Sequence, residues 1–593
     1  LDPDQPAARR RRVEGEKQVV HDVKADPVGE RPLGVGVGGF DPEVPENPVP
    51  DVDVEIGVRR VVPVAGDGVD RTPSTRADAC IVGSGPAGAL VAHRLAEAGA
   101  DVVVLEAGPR FDPAERGRTQ EQHIRPGMDN PWEMGGPRDA YTDAGRGYPL
   151  NDARVKGVGG STLHWQGMVM RLHERDFALE SQHGVGADWP IDYDDLRPYY
   201  AAAERALGVS GAMDNPYAPP REEPFPLPAF APSHSDSLFA PACERLGIDM
   251  HSVPNARNSE PYDGRAACQG YGTCKPVCPS GAKYTAESHV EKAVAAGARI
   301  VDNAAVQKLD HDAAGDAVET AVYATPDGTE YRQPAKRFVL AAGGVENARL
   351  LLLSASEQYP DGLANSSGAV GRFFMDHLFA GAGGQLDEPT RQNHIGFNTS
   401  ETHQFYDDTD SIEGMKLEFL NYAGPSPVTE ALGAETWGDD LVAQLRDSYG
   451  THIAIGGLVE QLPDAGNRVT LNSDVRDDHG NPVPHIEWSL ADRTRRAIRR
   501  ANRIQHAILD ELGVDVEWTV GPDATGPAYH QMGATRMGDD PETSVVDADC
   551  RAHDLRTLRI VGASTFPTGG AMNPTLTIAA LALRVAESVA ASI

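Results

Sequence analysis

The sequence has little lysine and little positive charge overall. Its 593 residues include 9 lysines and 45 arginines, and the 54 basic residues face 88 acidic ones, which gives a formal net charge of −34. Since binding to nucleic acid needs a basic surface that faces the phosphates, this composition argues against nucleic acid as a partner. At molar salt the Debye length falls to about 3 Å, so the self-repulsion of such a chain is screened. We therefore interpret the acidity as adaptation to a salt-rich surrounding; an ordinary acidic protein from a GC-rich genome is the alternative.

Long apolar runs are also missing. The most apolar helix candidate, TLTIAALALRVAESVAASI at 575–593, is interrupted by Arg584 and Glu587. It therefore predicts a packed helix and not a transmembrane one. The basic run Arg9–Arg12 is not followed by an apolar segment, so no secretory signal is predicted either.

Aromatic, leucine and isoleucine residues are nearly absent from residues 1–75. This stretch contains one aromatic residue, Phe40, and is rich in proline, glycine, valine and charge. Such a segment cannot bury enough apolar surface to offset the entropy lost on ordering. We predict that 1–75 is a mostly disordered tail, and that the remaining chain is long enough for two domains.

A dinucleotide-binding pattern follows this tail, in RADACIVGSGPAGALVAHRLAEAGADVVVLEAG (76–108). Apolar runs predict strands at 79–82 and 101–105, with a helix at 86–98 between them. Gly83, Gly85 and Gly88 form G-x-G-x-x-G, which allows a tight turn, the approach of a pyrophosphate and close helix packing. Glu106 ends the second strand, where a carboxylate binds a ribose hydroxyl. The pattern predicts a dinucleotide site over a ligand-free glycine turn, but does not separate FAD from NAD.

Five further stretches make that choice. They are KGVGGSTLHWQG (156–167), FVLAAGGVENARLLL (338–352), VGRFFMDH (370–377), YHQMGATRMG (529–538) and NPTLTIAALALR (573–584). In this order, with the glycine pattern, they resemble the glucose–methanol–choline (GMC) flavoprotein oxidoreductases from about Arg76 to the C-terminus. The resemblance is closest to the branch with the large subunits of gluconate, fructose and FAD-dependent glucose dehydrogenases. One departure is Gly562 in RIVGAST, where many members carry aspartate, which puts one flavin-phosphate contact in question.

The resemblance implies an α/β fold, α+β overall. It has a discontinuous Rossmann-like FAD-binding domain and a substrate domain built on an antiparallel sheet. We assign 76–205, 285–375 and 525–593 to the FAD-binding domain, 206–250 and 376–524 to the substrate domain, and 251–284 to a cysteine-containing segment. The residue pattern also predicts a long helix at about 491–512.

The resemblance further implies the roles of individual residues. FAD contacts are expected from the fingerprint residues and from Gly159, Gly160, Ser161, His164, Ala342, Gly343, Pro574 and Thr575. His530 corresponds to the catalytic histidine and Asn573 to its partner. A neutral histidine can accept the alcohol proton and an asparagine can hydrogen-bond the same oxygen, while the flavin takes the hydride at N5. For a lone histidine, a structural role is the alternative. His164 stands where some relatives bond a histidine to the flavin 8α-methyl group; we favour packing beside the ring without a bond.

The expected function is a dehydrogenase that oxidises an alcohol group of a sugar, sugar acid or polyol and passes electrons to a protein or quinone acceptor. The alternatives are an oxidase that uses oxygen and has structural cysteines, and a flavin-bearing electron-transfer subunit without its own substrate. The dehydrogenase relatives work with a small subunit and a cytochrome. This implies either an extracytoplasmic complex exported with a partner or a cytoplasmic enzyme. No motif around HIGFNTSETHQF (394–405) identifies the substrate.

Three of the six cysteines lie together, in ACQGYGTCKPVCPSGAKY (267–284), as Cys268, Cys274 and Cys278. A disulfide would leave one of them over, whereas a structural zinc site and a [4Fe–4S] cluster usually take four protein ligands. The spacing C-x5-C-x3-C-P resembles the cluster segment of FAD-dependent glucose dehydrogenases. The resemblance implies that the three thiolates ligate a [3Fe–4S] cluster, which relays electrons singly from the flavin. Cysteines retained after loss of the cluster are the alternative.

Overall fold

The computed structural model describes residues 76–593 except 118–131, 133, 392–394, 397, 408–412, 423 and 425–426. The predicted tail, 1–75, lies outside the described residues. The α-helices of the described part are Pro86–Glu97, Leu179–His183, Tyr193–Leu207, His234–Leu246, Glu287–Ala295, Glu346–Leu353, Pro427–Gly433, Asp439–Ser448, Asp492–Leu512 and Thr575–Ala590. Short 3₁₀ helices occupy Pro113–Glu115, Pro137–Asp139, Leu150–Asp152, Gly160–Leu163, Glu174–Phe177 and Ala563–Thr565.

A seven-stranded sheet carries the glycine fingerprint. Its strands in spatial order are Arg299–Val301, Val102–Leu105, Ala77–Val82, Glu330–Leu340, Val318–Ala324 and Ala305–His311, with Leu558–Ile560 also paired to Glu330–Leu340. The strands around Ala77–Val82 run parallel, and their carboxyl ends therefore meet at one edge. In open α/β sheets the ligand crevice lies at this edge.

The two strands predicted around the fingerprint are confirmed within two residues at each end. They form from uninterrupted apolar runs because they are buried on both faces, as parallel strands are. The helix between them, Pro86–Glu97, begins with proline at its first position and contacts helices Glu287–Ala295 and Thr575–Ala590. The latter is the predicted packed helix. Within the described ranges, no helix has the length and apolarity that crossing a bilayer requires.

A second sheet is antiparallel throughout, as predicted. Its strands in spatial order are Asp515–Val520, Gly381–Gln385, His452–Val459, Met415–Leu420, Ser400–Thr402 and His251–Ser252, with Leu378–Phe379 paired to His452–Val459. The edge strand His251–Ser252 comes from the range that we assigned to the cysteine-containing segment. The sheet therefore extends two residues into that range.

The strand Met415–Leu420 separates a helical layer from an open face. All six residues are buried, and side chains alternate between the two faces of a strand. Phe419 points to the helical layer, where its ring lies 5.1 Å from that of Phe239. Helices His234–Leu246 and Asp492–Leu512, the latter close to its predicted bounds, form this layer. The opposite face carries Glu418 and Leu420, which line a cavity.

A third, small sheet joins the predicted domains. The antiparallel hairpin Arg468–Arg476 and Pro482–Trp488 pairs in parallel with Thr142–Gly145. The hairpin also contacts helix Glu346–Leu353. Residues assigned to the substrate domain therefore share a sheet with residues assigned to the FAD-binding domain. Separately, Ser210–Gly211 and Leu227–Pro228 form a two-stranded parallel pair.

Candidate active site

The glycine fingerprint forms a turn at the carboxyl end of strand Ala77–Val82. A Cβ atom added to Gly88 would lie 2.0 Å from the carbonyl oxygen of Gly83, so only glycine allows the helix to approach the strand this closely. A Cβ atom on Gly85 would meet nothing within 4 Å, because Gly85 faces an open cavity. Pro86 lines the same cavity, so the N-terminus of the helix is available to an anion there.

Glu106 connects the two turns at this edge of the sheet. Its Oε2 accepts hydrogen bonds from the backbone N–H of Ser84 at 2.9 Å and from its hydroxyl at 2.7 Å. Its Oε1 accepts from the N–H of Gly108 at 3.1 Å. Burial raises the pKa of Glu106, and these hydrogen bonds oppose the rise. Glu106 also lines the cavity, so the ribose contact stays a prediction beside a structural role.

One continuous cavity of about 3150 Å³ extends from the fingerprint to the predicted catalytic pair. Among the predicted cofactor and catalytic residues, it is lined by Gly83, Gly85, Glu106, Gly160, Ser161, His164, Ala342, Gly343, His530, Asn573, Pro574 and Thr575. Gly88 and Gly159 do not line it. The N–H of Gly159 instead donates to the Ser84 hydroxyl at 3.2 Å, behind the cavity wall.

The cavity fits FAD at its glycine end. A Cβ atom added to Gly160 would lie 3.0 Å from the Cα atom of Gly85, so two glycine turns approach each other where both line the cavity. Side chains at these positions would fill the space that a pyrophosphate needs. Because the cavity continues to His530, a dinucleotide held at the glycines can place its other end beside that residue.

The departure at Gly562 coincides with a backbone conformation that suits glycine. Its φ is 137° and its ψ is −177°, a region that residues with a side chain rarely occupy. An aspartate at this position would be strained. Gly562 lines the cavity, so this part of the wall offers backbone atoms where many GMC members offer a carboxylate.

The structure brings His530 and Asn573 together at the far end of the cavity. Asn573 immediately precedes helix Thr575–Ala590 and its cap Pro574, and its Nδ2 lies 3.3 Å from Nε2 of His530. His530 follows Tyr529, whose φ of 64° is in the left-handed region. The backbone N–H of His530 donates to Oδ1 of Asp376 at 2.8 Å. This bond between segments far apart in sequence fixes where the imidazole stands.

Sequence reasoning missed the residues that lie behind His530. Nδ1 of His377 lies 2.8 Å from Nδ1 of His530, and Nε2 of His377 lies 2.8 Å from the carbonyl oxygen of Gly570. Asp376 also accepts a hydrogen bond from the hydroxyl of Tyr148. Both Asp376 and His377 belong to VGRFFMDH. This stretch contributed to the family resemblance, but the resemblance did not predict a role for either residue.

Burial sets the protonation of this group. It lowers the pKa of His530 well below the ordinary value, and positive charge on His377, when that ring is protonated, and on Lys416 lowers it further. It lowers the pKa of His377 to about 4. It raises the pKa of Asp376 to about 7, although the Tyr148 hydroxyl and backbone N–H groups oppose the rise. Both imidazoles are therefore neutral near pH 7, which is the form that can accept a proton.

Glu418 is a cavity-lining carboxylate that neighbouring groups hold in place. The buried ammonium of Lys416 lies 2.8 Å from Oε1 of Glu418 and 3.0 Å from Oε2 of Glu401. Nδ2 of Asn398 donates to Oε2 of Glu418 at 3.0 Å. Around Glu418, the cavity is lined by apolar side chains, among them Leu420 and Leu458. A polar substrate entering the cavity would therefore meet an oriented hydrogen-bond acceptor.

Glu401 also belongs to a compact group with two histidines. The ligand atoms of His251, Glu401 and His403 all lie within 4.8 Å of one another. Their polar atoms are already engaged, however. Nε2 of His403 bonds Oε1 of Glu401 at 3.0 Å, and Nε2 of His251 accepts from the N–H of His403 at 3.2 Å. With the Lys416 ammonium on the other carboxylate oxygen, the group is a hydrogen-bonded core cluster, and we assign no metal to it.

The three clustered cysteines lie in a loop that also borders the cavity. All six cysteines of the chain are free thiols. Cys274 is buried, and Cys268 and Cys278 are half-buried. Burial raises the pKa of Cys268, the Arg257 guanidinium opposes the rise, and charges on Cys274 and Cys278 add to it. Between them, Tyr271, Gly272, Thr273, Lys275 and Pro276 line the cavity.

Two buried cations stand beside these thiols. Nη1 of Arg257 lies 3.5 Å from Sγ of Cys274. Nζ of Lys283 donates to the carbonyl oxygens of Cys274 at 2.7 Å, Trp165 at 2.6 Å and Leu163 at 3.3 Å. The last two residues flank His164, so one side chain connects the cysteine loop to the flavin motif. Nη1 of Arg257 also donates to the carbonyl oxygen of Ile395 at 3.0 Å.

Known proteins resemble this chain over most of its length. The family model described as GMC oxidoreductase matches residues 150–379 and 463–582, and an FAD binding domain matches 76–128. The fructose dehydrogenase large subunit of Gluconobacter japonicus is 35% identical over 544 residues, which cover 86% of this chain and 97% of that protein. The 2-methyl-1,2-propanediol dehydrogenase of Mycolicibacterium austroafricanum is 32% identical and covers 87% and 95%. A formate oxidase structure from Aspergillus oryzae shares the fold with a TM-score of 0.62 at 17% identity, covering 88% of this chain and 99% of the other.

Proposed function

The chain belongs to the GMC oxidoreductase family, and from this premise we propose that it oxidises an alcohol group of a sugar or polyol to a carbonyl and passes the electrons through a [3Fe–4S] cluster to a protein or quinone acceptor. Membership makes it an FAD-dependent oxidoreductase that acts on CH–OH groups. The predicted family, fold class and enzyme class are thereby confirmed. The role of each site residue, the cluster and the acceptor are parts of the proposal.

One observation carries the proposal. A single cavity has the dinucleotide fingerprint at one end and the His530–Asn573 pair at the other. Bound FAD supplies the hydride acceptor for the oxidation of the substrate carbon. The protein must then position an alcohol beside the flavin and remove its O–H proton. The end of the cavity with His530 offers a neutral imidazole for this purpose together with an amide donor.

The two side chains divide the work on the substrate oxygen. His530 is neutral near pH 7 because burial disfavours its charged form, so it can accept the hydroxyl proton. Asn573 does not titrate, and an N–H of its amide can donate to the same oxygen as negative charge develops there. Both are anchored: His530 by Asp376 and Asn573 by the helix that follows it. This preorganisation lowers the entropic cost of reaching the reactive geometry.

The cavity wall supports a neutral, polyhydroxylated substrate. Glu418 is held by Lys416 and Asn398, so its carboxylate can accept hydrogen bonds from hydroxyl groups without reorienting. Lys416 is shared between two carboxylates, and the group therefore keeps one net negative charge. A sugar acid would bring its own carboxylate towards this charge. Within the predicted class of sugars, sugar acids and polyols, we favour the neutral members. The relatives named for fructose and for a propanediol agree with this choice.

The cysteine loop supports a cluster between the flavin and the surface. Arg257 and Lys283 are buried; carbonyl oxygens accept hydrogen bonds from both, and a nearby anion would stabilise their charges further. Three thiolates, or the anionic cluster that they ligate, would supply it. The three thiols are not among the groups whose ligand atoms all lie within 4.8 Å of one another. Sulfurs bound to one tetrahedral zinc would be about 3.8 Å apart, so the three thiols are not arranged around a single zinc ion.

A one-electron relay suits a partner protein. Reduced flavin holds two electrons, whereas a cytochrome takes one, and an iron–sulfur cluster can pass them singly. We propose a small subunit and a cytochrome as partners, either in an extracytoplasmic complex exported with the small subunit or in the cytoplasm. The acidic composition supports operation at high salt. His164 lines the cavity next to the residues that Lys283 bonds, and we keep the expectation that it packs beside the flavin without a covalent bond.

The runner-up is an oxidase that reduces oxygen, with cysteines in a structural role. A flavin-bearing subunit without a substrate is disfavoured because the His530–Asn573 pair is intact. The acceptor separates these functions. With a substrate in air, we expect artificial electron acceptors to be reduced rapidly and hydrogen peroxide to account for a minor fraction of the substrate oxidised. Peroxide formed in equal amount to the carbonyl product, with acceptors ignored, would establish the oxidase instead.

A further inference from the structure

We propose that His377 is a positioning residue that holds the proton of His530 on Nδ1 and thereby keeps the Nε2 lone pair directed at Asn573 and the cavity. The inference rests on the proposed function, because it concerns how the catalytic base is prepared. His377 does not line the cavity and touches neither substrate nor flavin space. It acts through His530 alone.

A backbone carbonyl determines which nitrogen of His377 carries the proton. Nε2 of His377 lies 2.8 Å from the carbonyl oxygen of Gly570 and 3.3 Å from that of Gly569. A carbonyl oxygen can only accept a hydrogen bond, so Nε2 of His377 must carry a proton. His377 is fully buried, and its ring meets these two oxygens inside the core. The position of this proton is therefore fixed by the chain.

The proton position of His377 in turn determines that of His530. Burial lowers the pKa of His377 to about 4, so its ring is neutral and carries one proton only. Since that proton is on Nε2, its Nδ1 is an acceptor. Nδ1 of His377 and Nδ1 of His530 are 2.8 Å apart, and a contact this short between two ring nitrogens needs one donor. The donor must be Nδ1–H of His530.

The proton on Nδ1 of His530 leaves its Nε2 unprotonated. A neutral His530 with its proton on Nδ1 has a lone pair on Nε2. The amide of Asn573 must then present its Nδ2 to this lone pair, at 3.3 Å, as the structure shows. Its Oδ1 is buried and has no hydrogen-bond partner among the described residues. The hydrogen bond from Nδ2 to His530 orients the amide, and this explains why Oδ1 of Asn573 has no partner.

The arrangement differs from an orienting carboxylate. Asp376 accepts from the backbone N–H of His530 and does not bond its ring. The charges that act on His530 include that of Lys416, which is held by Glu401 and Glu418. Tyr148 and Tyr529 stand beside Asp376, and burial raises the pKa of each, so both stay neutral. A neutral acceptor at Nδ1 orients the ring without raising its pKa as an anion would. His530 thus remains an unprotonated base into the acidic range.

Two substitutions separate positioning from packing. In His377→Gln, the amide can donate to Gly570 and accept from His530, which keeps both polarities. In His377→Leu, neither bond is possible and His530 is free to place its proton on Nε2. His289→Leu is the matched control, because His289 is also a buried, neutral histidine, bonded to Tyr284 and absent from the cavity wall.

Anaerobic stopped-flow reduction of the FAD-loaded protein is the first readout. We expect His377→Leu to lower the limiting rate constant roughly 10²-fold, less than the 10⁴-fold lost with a charged orienting partner in serine proteases. The substrate half-saturation should change little, and His377→Gln should stay within about 5-fold of the wild type. The acidic limb of the pH profile should lie well below pH 6.5 in the wild type. Equal rates in His377→Leu and wild type, or equal losses in the Gln, Leu and His289→Leu variants, would overturn the proposal.

A second readout does not depend on turnover. In histidine labelled with ¹⁵N, the protonated and unprotonated ring nitrogens have distinct shifts, and the His530 signals are those lost in His530→Ala. We expect the Nδ1–H form in the wild type and in His377→Gln, and a shift towards Nε2–H in His377→Leu. An Nε2–H form in the wild type would refute the inference even if His530 is the base. A His530→Ala variant that still reduces its flavin at the wild-type rate would instead refute the proposed function.

Discussion

His530→Ala is expected to slow anaerobic reduction of the flavin by substrate about 10³-fold. A positioned general base contributes 10²- to 10⁴-fold, and His530 is the cavity-lining imidazole that lies beside Asn573. The loss corresponds to about 4 kcal/mol of barrier. Because the neutral, half-buried side chain lies between His377 and Asn573, its removal leaves a small space and no unpaired charge, so FAD content should be unchanged.

The measurement is the limiting rate constant in a stopped-flow titration with substrate. His506→Ala is the control, because His506 is half-buried on helix Asp492–Leu512, bonds Thr519 and does not line the cavity. The half-saturating substrate concentration should shift much less than the rate constant, since binding depends on the wider cavity wall. If His530→Ala keeps a rate within a few-fold of the wild type, His530 is not the base.

Cys274→Ser is expected to remove the proposed cluster and to uncouple flavin reduction from electron transfer to the acceptor. Cys274 is the buried member of the three, and its sulfur faces Arg257. The variant should lose iron and the paramagnetic signal of the oxidised protein. Its turnover rate with a protein acceptor should fall to a small fraction of the wild-type rate. Flavin reduction by substrate should stay within about 3-fold of the wild type, because the chemistry at His530 does not need the relay.

The control for this variant is Cys243→Ser. Cys243 is also a buried free thiol, but it lies on helix His234–Leu246, away from the clustered three. Iron content, the paramagnetic signal and both half-reactions are measured on protein purified without oxygen. Wild-type protein prepared in this way that contains no iron would show that the three cysteines serve another purpose. Loss of iron in Cys243→Ser as well would point to general damage.

The spacing of apolar residues along the chain was sufficient to predict the strands and helices whose burial follows from their own sequence. The strands around the fingerprint and helix Asp492–Leu512 follow from apolar spacing, and the close approach at Gly88 follows from the absence of a side chain. The sheet formed by Thr142–Gly145 and the hairpin at 468–488 could not be predicted in this way. Its pairing joins residues more than 300 positions apart, and no local pattern records such a partner.

The candidate site shows the same division. His530 and Asn573 are recognisable because each belongs to a stretch that resembles family members. His377 stands in such a stretch too, but its role depends on a contact across 153 positions and on two carbonyl oxygens. Glu418 lies in no recognised stretch, and only the alternation of strand Met415–Leu420 turns it towards the cavity. Site residues within recognised short motifs could be predicted. Residues whose role depends on contacts between distant segments could not.

Anaerobic reduction of the bound FAD across aldoses, ketoses, polyols and aldonates tests the central claim most directly. The account predicts that at least one neutral sugar or polyol bleaches the flavin absorbance rapidly, that aldonates do so more slowly because of the charge at Glu418, and that bleaching depends on His530. A flavin that stays oxidised with every member of the panel would contradict the account.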